Sequence, residues 1–237
     1  AWHQLGKIYN KQGKFKESIS AFDFAIISDD QFVSAYIEKA KVLEKIKRYN
    51  DALENYRLSI ELSEPNSFIY FRIARCYIKI NNKKLFLDFI KKSVREEPGN
   101  EKAWIFLIKY YLRNNNFRQA KYLASKALIN NHNSIKILSL NAIIFKKIGD
   151  TNQAIKFYNQ ILDFKENLSW KIWKGLLKCL INNKDWSQLL RTSLKAKKYY
   201  PNKAFLDFII SGCLLKNGKT NEAIYFYQSG KKTSQVP

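Results

Sequence analysis

The residues with the most chemistry to offer are basic and evenly spaced. Lys7, Lys41, Arg75, Lys109 and Lys178 recur at a step of about 34 residues, with Ile143 and Gly212 completing their column. A second column, four residues further on, holds Lys11, Lys45, Lys79, Arg113, Lys147 and Lys216, with Asn182 as its one uncharged member. Eleven of these fourteen sites are basic and none is acidic; random placement of 42 Lys and Arg over 237 residues gives about two or three. Cations four residues apart share one helix face and repel by about a few tenths of a kcal/mol per pair. The chemistry open to such a face is the capture of an anion, which relieves that repulsion. Phe68, Phe71, Phe205 and Phe208 fall on the same side by the same register, where exposed aromatics can anchor a partner.

Catalysis finds no comparable set. There is no glycine-rich phosphate loop, no Ser-His-Asp arrangement and no Cys-x-x-Cys pair, and His3 and His132 stand far apart. No catalytic residue, metal ligand or cofactor is therefore expected. Cys76, Cys179 and Cys213 occupy one place in the pattern, taken elsewhere by Ile8, Val42, Tyr110 and Ile144. Equivalent positions on packed helices stand roughly 8–10 Å apart, beyond the reach of an unstrained disulfide. Buried free thiols are the expectation.

The elements that carry these columns are short amphipathic helices. Residues 2–30 hold two apolar faces at i, i+3, i+4, i+7 spacing: Trp2, Leu5, Gly6 and Tyr9, then Phe15, Ser18, Phe22 and Ala25. Gly13 lies between them, where a helix end needs a permissive residue. Neither helix can bury its face alone. The spacing returns to the end of the chain, which predicts stacked repeats at about 1–32, 33–66, 67–100, 101–133, 134–168, 169–202 and 203–230. One extra residue enters before the sixth repeat. Asp150 stands where the fifth repeat's second helix needs an N-cap. Pro65 closes the second repeat, Glu166 ends the fifth, and residues 231–237 form a polar, frayed tail. A single array over 1–230 is the predicted organisation, all-α and without strands.

This pattern resembles the tetratricopeptide repeat family over nearly the whole chain. The carrying residues are an aromatic, Leu-Gly and Tyr on the first helix (Trp2, Leu5, Gly6, Tyr9), then Ser18, Phe22 and Ala25 on the second. The third, sixth and seventh repeats depart most from it. The resemblance implies a right-handed superhelix, an α-solenoid whose first helices line a concave groove. It also implies binding of a peptide, a helix or a partner protein there, without catalysis. The chaperone-binding subgroup uses an asparagine in the first column, which this chain lacks, so that clamp is not expected.

Charge is uneven along the chain. Residues 1–65 hold ten basic and ten acidic residues, and residues 66–237 hold thirty-two and ten, so the whole +22 arises in the later repeats. Such a field speeds encounters with acidic partners. Three functional readings follow: a non-enzymatic scaffold or adaptor for an acidic protein segment, an RNA- or DNA-binding face, or the recruiting arm of a larger enzyme. Lysine outnumbers arginine 34 to 8. That bias is also what AT-rich coding produces, with surface lysines serving only solubility. No run of about 18 apolar residues predicts a membrane span. The chain starts at Ala1 on a repeat's first helix and reads as a piece of a longer one; with no leader visible, the cytoplasm is the expected compartment.

Overall fold

A computed structural model describes residues 1–64, 66–164 and 167–234. Pro65, Glu166 and the last three residues of the expected tail lie outside the described residues. The described chain is helical throughout and holds no strand. It divides into two compact units, Ala1–Leu107 and Ile108–Pro237.

The first unit is built from α1 (Trp2–Lys11), α2 (Phe15–Ser28), α3 (Val33–Lys45), α4 (Tyr49–Glu61), α5 (Ser67–Lys79), α6 (Lys83–Glu96) and the start of α7 (Glu101–Arg113). Here α1 pairs with α2, α3 with α4 and α5 with α6 as antiparallel hairpins, and α2 also packs on α3 and α4 on α5. Small residues on one helix admit large ones from the other. A Cβ at Gly6 would lie 2.7 Å from the Phe22 ring, so glycine is required there. Ser18 Oγ donates to the Gly6 carbonyl at 2.8 Å, which satisfies both groups in a dry contact. Phe22, Tyr56, Ile73, Phe86 and Ile90 are fully buried between hairpins.

The second unit continues with α8 (Phe117–Asn130), α9 (Ile135–Ile148), α10 (Thr151–Phe164), α11 (Trp170–Asn183), α12 (Trp186–Tyr199), α13 (Ala204–Lys216) and α14 (Thr220–Ser234). Its core runs from Leu138 through Trp173, Leu176 and Leu189 to Leu206 and Cys213. Here Gly175 admits Tyr158, whose hydroxyl and ring fill the space where a Cβ would stand. All three cysteines are buried and unpaired.

Every hairpin closes in the same way. One residue per hairpin takes the left-handed conformation: Gly13, Lys47, Asn81, Asn115, Gly149, Lys184 and Gly218. The backbone N–H of the following residue donates to the carbonyl five residues back, from Lys14 to Tyr9 in the first hairpin and from Lys219 to Leu214 in the last, at 2.9 to 3.3 Å. This 6→1 bond is the helix-ending motif that favours glycine at the left-handed position. The residue that donates it also precedes the second helix. Asn82, Asn116, Asp150 and Asp185 accept a cap bond there from the backbone three residues on. Lys14 and Arg48 offer no such cap. The step between left-handed residues is 34 throughout except from Gly149 to Lys184, where it is 35. The extra residue enters between Phe164 and Trp170.

Three expectations need correction. Trp2 and Ile8 are exposed, the latter at 51%. Their partners in the pattern are covered by a preceding second helix, and α1 has none among the described residues. Residues 231–234 are not frayed but complete α14. Gly230 is buried against Phe208 and Asp207, and Thr233 Oγ1 donates to the Ser229 carbonyl. Tyr110, at the cysteine position of its repeat, is only half-buried.

Candidate functional site

The basic columns lie on the first helices, and the two units treat them differently. In the first unit, Lys45 Nζ on α3 donates to Asn10 Oδ1 on α1 at 2.6 Å, so neighbouring first helices are bridged. Lys41 Nζ pairs with Glu38 at 2.7 Å. Arg75 stands 3.8 Å from Glu44 and 5.9 Å from the Phe71 ring centroid. Lys7, Lys11 and Lys79 have no acidic partner among the described residues; Lys7 is half-buried and the other two are exposed.

Glu44 organises this face. Its side chain is 7% exposed and sits against Arg72 Nε at 2.8 Å. Tyr56, reaching across from α4, donates its hydroxyl to Glu44 Oε1 at 2.7 Å and accepts from Arg72 Nε at 3.0 Å. Burial, and next the Glu44 carboxylate, push the Tyr56 phenol well above its ordinary value of 10. Burial, with Glu44 next, also pushes the Cys76 thiol up to about 12. Three helices thus share one buried polar cluster that absorbs a carboxylate inside a nominally basic face.

In the second unit the columns keep their charge. Lys109, Arg113, Lys147, Lys178 and Lys216 are all exposed, and none has an acidic partner among the described residues. Lys216 Nζ lies 5.9 Å above the Trp186 ring. The helices α9 and α11, which carry Lys147 and Lys178, touch directly.

The aromatic candidates split as well. Phe71 is half-buried, edge-on to Phe106 at 5.8 Å, and Phe205 packs edge-on against Trp170 at 6.0 Å. Both seal the junction to another first helix. Phe68 is 44% exposed under Lys41 and Arg72. Phe208 is half-exposed and meets Tyr227 edge-on. The residues that column counting misses are Glu38 and Glu44. Their signal is their place three residues either side of Lys41, on the same helix face.

Among the described residues no three His, Cys, Asp or Glu side chains gather as a metal site, and no helix is long and apolar enough to cross a membrane.

The tetratricopeptide repeat profile matches residues 1–26 and 33–66. A tetratricopeptide repeat-containing protein of Caenorhabditis elegans, trd-1, is 25% identical over 155 residues, 65% of this chain. The match spans a fifth of that relative's length. Among solved structures, the C-terminal part of a TPR repeat-containing protein from Cytophaga hutchinsonii superposes with a TM-score of 0.78. It covers 98% of this chain and 96% of its own at 12% identity. YrrB, described as a TPR protein with an unusual peptide-binding site, gives a TM-score of 0.55 at 11% identity, covering 77% of this chain and 90% of its own. These likenesses establish a shared all-α solenoid fold. Repeats of this kind are generally non-catalytic and serve in protein interaction. With the profile in the first two hairpins and the same backbone clasp in all seven, the chain is an all-α helical-repeat protein similar to tetratricopeptide repeat proteins, a fold suited to a protein-interaction scaffold.

Proposed function

We propose that the chain binds an acidic segment of a partner protein along the first helices of its second unit. The observation that carries this reading is the contrast between the units. In Ala1–Leu107 three of the six column cations, Lys41, Arg75 and Lys45, are met by Glu38, Glu44 and Asn10. Lys109, Arg113, Lys147, Lys178 and Lys216 are exposed and unmet. An acidic peptide laid across α7, α9, α11 and α13 gains these contacts without first breaking an internal pair. The peptide-binding site named for YrrB supports the same use of the fold.

The test replaces Lys109, Lys147, Lys178 and Lys216 by Glu and measures binding of a fluorescent oligo-glutamate peptide. Exposed charge pairs contribute about 0.2–1 kcal/mol each, so losing four weakens binding by about fourfold at the least and several hundredfold at the most. A matching reversal at Lys41 and Arg75 has a smaller effect, because those cations already have partners. Equal losses from the two sets would overturn the reading. So would tighter binding of a single-stranded oligonucleotide than of the peptide at physiological salt, where phosphate contacts have been screened.

A further inference from the structure

We propose a second docking site, for a basic amphipathic helix, in a cleft on the opposite kind of surface: the outer face of α4. The cleft has a volume of about 580 Å³ and is lined by α4, the end of α5 and the start of α6. Its floor is Leu53 and Tyr77, and its apolar walls include Leu58, Ile80 and Leu85. Leu58 and Ile80 remain 36% and 37% exposed. Glu54 and Glu61 stand on the rim, two turns apart, about 10 Å along the helix.

Neither glutamate has a cationic partner among the described residues. The one cation in the lining, Arg57, donates to the Tyr77 hydroxyl at 2.6 Å. In a chain of net charge +22 this is a local acidic spot, placed where residues 1–65 sum to zero. It is also peculiar to this hairpin. The places of Glu54, Leu58 and Glu61 hold Asp88, Lys92 and Arg95 in the next hairpin, and Tyr122, Lys126 and Ile129 in the one after. An apolar trough between two carboxylates fits side chains with an aliphatic stem and a cationic head. A helix offering Lys or Arg at i and i+7, with leucines between, matches both the spacing and the floor. This occupant is opposite in charge to the one proposed for the second unit, so the two sites are separable.

The experiment titrates methyl-labelled protein with an acetylated Leu–Lys amphipathic peptide about four turns long, followed by methyl NMR. The Leu53, Leu58, Ile80 and Leu85 methyls shift, and a Leu–Glu peptide of the same length leaves them unmoved. Glu54→Lys with Glu61→Lys weakens the Leu–Lys peptide by about tenfold, and Leu58→Gln weakens it with both carboxylates intact. Both variants alter exposed or half-exposed positions and keep the helical circular dichroism spectrum. Unmoved cleft methyls would overturn the proposal, as would undiminished binding by the charge-reversed variant.

Discussion

Replacing Glu44 by Ala removes one carboxylate that three groups depend on. The Tyr56 hydroxyl loses its acceptor while remaining buried, a cost of about 1–3 kcal/mol. Arg72 loses its counterion with its side chain only 18% exposed. Breaking a fully buried pair costs about 3–5 kcal/mol; partial exposure of Arg72 lowers that to about 1–2 kcal/mol. Arg75, at 3.8 Å and more exposed, adds little. The sum is about 3 kcal/mol. Repeat arrays can unfold in parts, so the assay is hydrogen exchange of amides in α3, α4 and α5, alongside urea denaturation. Protection in these helices falls by about two powers of ten or more, while α9–α14 keep theirs. A double-mutant cycle with Arg72→Met and Tyr56→Phe then gives coupling to each partner. A loss under about 1 kcal/mol, or no coupling of Glu44 to Arg72, would show that water solvates this carboxylate and that the cluster argument is wrong.

Two further outcomes follow from the same structure. Lys184 holds a left-handed backbone at φ 56° with a full side chain, so Lys184→Gly raises stability by about 0.5–1 kcal/mol, read as a higher thermal midpoint; the same change at a helical lysine such as Lys178 lowers it by a similar amount. Alkaline pH destabilises the first unit: the Cys76 thiol ionises near 9 when unfolded and near 12 when folded, so the unfolded chain holds fewer protons between those values and stability falls as pH rises through them. Urea midpoints measured from pH 8 to 11 check this, and Cys76→Ala removes part of the slope, the remainder belonging to buried tyrosines such as Tyr56.

The repeat period and the column register were legible because both rest on spacing, which a helix face preserves. The same holds for Asp150 as a cap and for the extra residue before the sixth hairpin. What stayed hidden depends on neighbours in space. Lys47, Asn81, Asn115 and Lys184 carry no glycine to mark their left-handed turns. Glu38 and Glu44 lie off the columns, so counting charge within a column overlooks their neutralising reach. Phe71 and Phe205 share a register position with exposed aromatics, and only the rings of Phe106 and Trp170 decide that they seal junctions. Ile8 has the residue type of a core position but no helix laid over it.

The backbone clasp that closes each hairpin has a bearing on how such a chain changes length. Its bonds run between main-chain atoms within a few residues, so the turn asks little of side-chain identity and tolerates Lys, Asn or Gly alike. An added residue there would break the five-residue span of the bond. The one added residue in this chain falls instead between Phe164 and Trp170, where one hairpin hands over to the next. Insertions and deletions are therefore channelled into the handovers. A whole hairpin becomes the natural coin of duplication and loss, because it can be cut in or out at two handovers with every clasp left whole.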